Sequence, residues 1–360
     1  MYKIMTPGPT QVAENVRLAR SMECTNPDLD GDFVEFYKET CEEISHLLHT
    51  KNETLILSGE GILGLEAACA SMTEPGDKVL VLDNGIYGRG FADFVSMYGG
   101  KPELYSRDYR ETLNVSELEE YLKKHHDYKY ATVVHGDTPS GMLNDVAAIC
   151  PLLKKYGIMT IVDSVSASFG EPLLIDDCQI DIMCGGSQKV VSAPPGLTFV
   201  VISDDAKKAM KERKIPIASF YANLTTFAHY YEEKWFPYTM PISDIYGLRA
   251  AMDNIAADPD ILTRHQQIAE ASRKAITSAG LNLYLKSGFS STVTVFEVPE
   301  ETTADAILET VKNDYNIMLA GSFDVLAGKV IRIGHMGNNA EFHKVREVFA
   351  ALDGTMKKLG

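Results

Sequence analysis

Lys189 sits in a setting that calls for a chemical explanation. The apolar run IDIMC (180–184) stops at Gly185 and Gly186, and the lysine then precedes a rigid Ala-Pro-Pro-Gly turn (193–196). A lysine in a loop is ordinarily a solvated surface residue, because lysines are seldom buried without a partner. Asp163, which closes the run MTIVD (159–163), is by itself ordinarily a helix cap or a turn residue. The pair suggests different chemistry. An amine held in an apolar cleft loses its proton more readily and can condense with an aldehyde to form a Schiff base. Pyridoxal phosphate needs such an amine. Its ring nitrogen must also stay protonated to withdraw electrons from the substrate, a state favoured by a neighbouring carboxylate such as Asp163.

Other residues could complete that chemistry. In SGEGILGLEAACA (58–70) a glycine turn brings Glu60, Gly61 and Ile62 to the start of a helix, whose free N–H groups suit a phosphate. NGIYGRG (84–90) offers Tyr87 as a flat face for a pyridine ring, although packing is the commoner use of a Tyr in such a turn. HGDTPSG (135–141) offers the Thr138 hydroxyl and the Asp137 carboxylate, or merely a side-chain-capped turn. Arg332, in the short apolar run KVIRIG (329–334), fits a two-bond clamp on a substrate carboxylate as well as it fits an outward-snorkelling strand residue.

The glycine turn admits a second reading. Gly59, Gly61 and Gly64 match G-x-G-x-x-G, and Asp83 ends the next strand pattern where a ribose-binding acid belongs, so a nicotinamide-dependent dehydrogenase is an alternative. It would leave Lys189 and Asp163 without a task.

These residues need elements to hold them. Short β-rich runs alternate with helical patterns: TLILS (54–58), KVLVLD (78–83), PELYS (102–106), ATVVH (131–135), MTIVD (159–163), IDIMC (180–184) and LTFVVIS (197–203). Apolar residues three and four apart between them predict covering helices, hence an α/β fold with a three-layer, doubly wound, mostly parallel sheet. Ligands in such sheets bind outside the carboxyl ends of strands, where the residues above fall. A long helical stretch after residue 243, strand patterns at TVTVFEV and KVIRIG, and a closing helix predict a smaller C-terminal α+β domain. The expected division is an N-terminal arm over 1–20, a large domain over 21–245 and a small domain over 246–360.

Bulk properties narrow the function. A net charge of −16 without a long basic stripe argues against nucleic acid and anionic membranes as partners. MYKIMTPGPTQV has no signal-like apolar segment and no run of 18 apolar residues occurs, so a cytoplasmic protein is expected. The six cysteines are scattered without metal-ligand spacing, so no metal site is expected. DLDGDF (28–33) has its glycine one position early for a calcium loop and reads as a turn and helix start.

TPGPTQV, SGEG before LGLEAA, NGIYGRG, HGDTPSGML, IVDSVSASFG, GGSQK before APPGL, FPYTMPIS and RIGHMG occur in that order. The series resembles the class V aminotransferases of fold type I over nearly the whole chain. It is most similar to the alanine–glyoxylate (serine–pyruvate), 2-aminoethylphosphonate–pyruvate and especially pyridoxamine–pyruvate members. The resemblance implies pyridoxal 5'-phosphate as cofactor, Lys189 as the Schiff-base lysine, Asp163 as ring-nitrogen partner and Tyr87 as stacking ring. It also implies cofactor contacts from Glu60, Gly61, Ile62, Thr138 and Gln188, and substrate contacts from Arg332 and Gly8. A homodimer is implied in which Thr239 reaches the neighbouring subunit's phosphate. The implied reaction moves an amino group from a small donor to a 2-oxo acid such as pyruvate or glyoxylate. Pyridoxamine itself is an alternative donor, because Glu60 stands where alanine–glyoxylate members carry a small Ser.

Overall fold

A computed structural model describes residues 2–360. Thirteen strands occur among them: β1 (Lys3–Ile4), β2 (Glu53–Ser58), β3 (Lys78–Asp83), β4 (Lys101–Ser106), β5 (Tyr130–Val134), β6 (Gly136–Asp137), β7 (Met142–Leu143), β8 (Met159–Asp163), β9 (Ile182–Gly186), β10 (Leu197–Ile202), β11 (Val293–Glu297), β12 (Ile317–Met318) and β13 (Val330–Gly334). The seven long runs read from the sequence form one sheet in the order β2-β10-β9-β8-β5-β3-β4. Every residue of β5, β9 and β10 is buried, as expected for strands covered on both faces. Fully burying a Val, Ile or Phe there contributes roughly 1.5–3 kcal/mol each.

The helix Gly61–Met72 packs on β8, β9 and β10, the helix Ile86–Met97 on β3, β4 and β5, and the helix Val146–Lys155 on β8. β10 departs from the parallel reading, running antiparallel to both β9 and β2. The physical reason is the connection: Ser187–Gly196 contains no helix, and a parallel return needs a crossover of a dozen or more residues. The DLDGDF stretch opens the helix Gly31–Leu47, with the Asp30 carboxylate accepting the Asp32 N–H.

A second apolar core lies outside this sheet. Phe296 of β11, Ile331 and Ile333 of β13, Ile307, and Val348 of the closing helix Phe342–Leu359 are buried together there, and Met5 from the N-terminal arm joins them. β1 pairs in parallel with β12, so the arm is stitched to the C-terminal part of the chain. Among the described residues no helix is long and apolar enough to cross a membrane, and no His/Cys/Asp/Glu group suits a metal ion.

The dinucleotide alternative fails on topology. β2, which leads into the GEGILG turn, is an edge strand, and β3, which ends at Asp83, lies on the far side of the sheet with four strands between them. A ribose bound at the first turn would need an acid on an adjacent strand. Asp83 is instead occupied locally, accepting from Tyr109 (2.6 Å), Ser106 (2.7 Å) and Arg89 (3.2 Å).

Candidate active site

At the carboxyl ends of the strands a cavity of about 260 Å³ is lined by Gly8, Glu60, Gly61, Ile62, Tyr87, Thr138, Asp163, Gln188 and Lys189 among others. The sequence places these residues in the N-terminal arm and five separate turns. The sheet brings them to one point because β2, β3, β5, β8 and β9 all point their carboxyl ends the same way.

Lys189 follows the end of β9 by three residues, and its side chain lies against the backbone of the arm. Its amine donates to the Pro7 carbonyl at 2.8 Å and to the Thr138 hydroxyl at 3.3 Å. Thr10 fastens the arm from the other side, its backbone N–H donating to the Gln188 carbonyl and its hydroxyl to the Lys189 carbonyl. Burial, followed by the nearby Arg332 cation, brings the Lys189 amine down to about 8. At pH 7 about a tenth of it is then in the nucleophilic, neutral form, far more than for a lysine at its ordinary value.

Asp163, the last residue of β8, is 4% exposed. One carboxylate oxygen accepts the Val165 N–H at 2.9 Å, and burial pushes the group up to about 7. A cation placed against it would favour its charged form, as a protonated ring nitrogen would.

Tyr87 lies in the first turn of the helix Ile86–Met97, and its backbone N–H donates to the buried Asp137 carboxylate at 3.2 Å. Asp137 also accepts from the Ser140 hydroxyl at 2.6 Å and the Ser140 N–H at 3.1 Å. The turn reading of HGDTPSG is therefore right, but incomplete. One carboxylate orders the turn and ties it to the residue carrying the Tyr87 ring, a long-range bond that local sequence cannot announce. Gly85 makes room for this, since a Cβ there would stand 2.7 Å from the Asp137 carboxyl carbon. Val165 and Pro195, also missed in the sequence, line the cavity too.

At the opposite end, Glu60 is the N-cap of the helix Gly61–Met72, accepting the Ile62 N–H at 3.1 Å. Its other oxygen accepts from the Gln188 side-chain NH2 at 2.9 Å, while the Gln188 side-chain oxygen, Oε1, is buried without a partner.

Arg332 stands beside the cavity without lining it. Its Nε donates to the Gly321 carbonyl at 2.6 Å, and the charges acting on its half-buried guanidinium come from Tyr87 and Asp137. Thr239 is not brought to the cavity within this chain; it is exposed and its hydroxyl donates to Asp28 at 3.3 Å.

A family model described as aminotransferase class-V matches residues 12–328. The chain belongs to the class-V aminotransferases. A pyridoxamine–pyruvate transaminase of Mesorhizobium japonicum is 33% identical over 92% of this chain and 86% of the relative. An uncharacterized aminotransferase of Methanocaldococcus jannaschii is 32% identical over 99% of this chain and 93% of the relative. The solved ureidoglycine–glyoxylate aminotransferase of Bacillus subtilis superposes with a TM-score of 0.96 at 27% identity, covering 100% of this chain and 94% of that one.

This class-V aminotransferase uses pyridoxal 5'-phosphate, and the cavity suits the ring half of that cofactor: an amine, a buried carboxylate and an aromatic face share about 260 Å³. The phosphate half would face the N-terminus of the helix Gly61–Met72, which Glu60 already caps. When bound, the cofactor supplies an electron-withdrawing ring that stabilises negative charge on the substrate carbon.

Proposed function

We propose that the enzyme moves an amino group from a small amino donor to a 2-oxo acid such as pyruvate or glyoxylate. The observation that carries this is the shared cavity of Lys189 and Asp163, with the Lys189 amine brought down to about 8 and free of any carboxylate partner. Lys189 would supply the amine that holds the cofactor aldehyde, and the same amine would serve as the base that moves a proton at the substrate carbon. The Pro7 carbonyl and Thr138 hydroxyl hold that amine. Asp163 would keep a proton on the ring nitrogen, Tyr87 would support the ring, and Arg332 would hold the substrate carboxylate with its two terminal nitrogens.

The working enzyme is a homodimer in this reading. Phe220, Tyr221 and Trp235 are more than half exposed, and Thr239 lies in the same stretch, available to a second copy. The boundary read at residue 245 falls inside the helix Ile242–Ala256, and the larger apolar core takes Leu248, Met252, Val293 and Val330 from beyond it, while Met5 of the arm packs in the smaller core. A cytoplasmic setting suits the net charge of −16 and six unpaired thiols.

A second reading makes pyridoxamine the amino donor. It is favoured by Glu60, which already satisfies both Ile62 and Gln188, donors that a phosphate would otherwise use.

Visible absorbance of purified protein, together with amino transfer from L-alanine or pyridoxamine to pyruvate or glyoxylate, tests both readings. Lys189→Ala should lose turnover by at least ~10²–10⁴-fold. Near-normal turnover in that variant would remove Lys189 from the reaction.

A further inference from the structure

Phe323 occupies a place that no packing need explains. The residue is 42% exposed, yet its ring is gripped by two groups of the site. The Tyr87 ring meets it edge-on with centroids 6.1 Å apart and planes at 70°, and the Arg332 guanidinium carbon lies 5.9 Å from its centroid.

Its loop is held from both sides. Gly321 accepts from Arg332 Nε at 2.6 Å, and the Ser322 hydroxyl reaches the Pro139 carbonyl, next to Thr138. Beyond it Asp324 takes a left-handed backbone, φ 52°, and Leu326 donates its N–H to the Phe323 carbonyl while burying its own side chain. A non-glycine residue at positive φ is uncommon and is maintained only where surrounding contacts fix it. The ring is thus fixed at the rim rather than free in solvent.

We infer that Phe323 selects the substituent on the reacting carbon, favouring uncharged, apolar ones. This rests on the aminotransferase reading with Arg332 as the carboxylate clamp. A 2-oxo acid held by the terminal nitrogens of Arg332, with its carbonyl carbon toward Lys189, has its remaining substituent beside the aromatic wall next to that clamp. A methyl or ethyl group there loses water against the ring. A second carboxylate would find no such gain. The charges bearing on Tyr87 are the carboxylates Asp163, Asp137 and Glu60 against Arg332, a cation already engaged by the first carboxylate.

Glyoxylate has only hydrogen at that position and serves as an internal control. The experiment measures kcat/KM of the pyridoxal-phosphate-loaded enzyme for glyoxylate, pyruvate, 2-oxobutyrate and oxaloacetate with one common donor. The wild type should use pyruvate and 2-oxobutyrate at least ~10-fold better than oxaloacetate. In Phe323→Ala the pyruvate-to-glyoxylate ratio should fall about tenfold with glyoxylate turnover kept, and Phe323→Leu should recover most of the ratio. A merely structural role, exerted through Tyr87, would lower glyoxylate and pyruvate together and leave the ratio unmoved. An unchanged ratio, or wild-type use of oxaloacetate equal to pyruvate, overturns the inference while leaving the aminotransferase reading intact. A wild type that accepts none of the four acids overturns both.

Discussion

The Glu60 carboxylate and the Gln188 side-chain amide are joined by a 2.9 Å hydrogen bond across 128 positions of sequence, at the mouth of the helix Gly61–Met72. Glu60 thereby places a negative charge where a helix N-terminus would otherwise attract an anion. Removing the charge should help a phosphate dianion and do little for an unphosphorylated ring. Glu60→Ser should bind pyridoxal phosphate about tenfold more tightly and pyridoxal no better, as read by absorbance titration of the two proteins. Tighter pyridoxal phosphate binding combined with loss of pyridoxamine–pyruvate turnover would favour the pyridoxamine reading.

Lys189 gives a pH signature. Its amine lies near 8 through burial first and the Arg332 cation second, with Asp163 acting in the opposite direction. The rate at which apoprotein captures the cofactor aldehyde should rise with pH and level off above about 8. Arg332→Met should move the midpoint up, because a repelling cation is gone, and Asp163→Asn should move it down. Stopped-flow absorbance across a pH series reads all three.

Asp163 should be a liability in the empty protein. Its folded value of about 7 is above the ordinary 3.8, so between those values the native state holds more proton than the unfolded chain. Stability from this group is therefore present at low pH and lost as pH rises toward about 7. Asp163→Asn apoprotein should be more stable than wild type at pH ~8 by on the order of 2–4 kcal/mol, with the gap closing toward pH ~4. Urea unfolding at the two pH values checks this, and the same variant should be catalytically crippled.

Gly8 touches the lysine directly. A Cβ at this position would lie 2.6 Å from Lys189 Cε and 2.7 Å from its Nζ, on a backbone with φ +104°. Gly8→Ala should displace the amine and lower kcat/KM by at least ~10²-fold, while the far-ultraviolet circular dichroism stays that of a folded chain.

Much of this was legible in the sequence. The strand ends were marked by apolar runs stopping at Gly, Asp or His, and those ends carry Asp163 and, three residues past Gly186, Lys189. Local pattern carried no direction for β10, which depended on the length of the 187–196 connection. The helical pattern after β3 is clear only from Phe91 onward, because Gly85, Gly88 and Gly90 weaken it around the helix's true start, Ile86. Asp137 was visible as a turn residue, but its bond to Tyr87 spans 50 positions and no periodicity encodes it. Phe323 lay in an unpatterned GSFDV stretch and was passed over for the same reason.

The pairing of β1 with β12 also sets an order of assembly. Residues 53–202 contain every strand of the large sheet, so that sheet can form while later segments are still being synthesised. The arm has no strand partner until Ile317 and Met318 appear, and Gly334 must then donate its N–H to the Met5 carbonyl. At ~5–20 residues per second this interval lasts on the order of ten seconds. During it the nascent chain carries a formed sheet and a lysine whose Pro7 acceptor has no strand to hold it. The Lys189 amine can meet Thr138 early, and Thr10 can already tie the arm to Gln188 and Lys189, so what waits for the C-terminal strands is the final setting of its Pro7 acceptor.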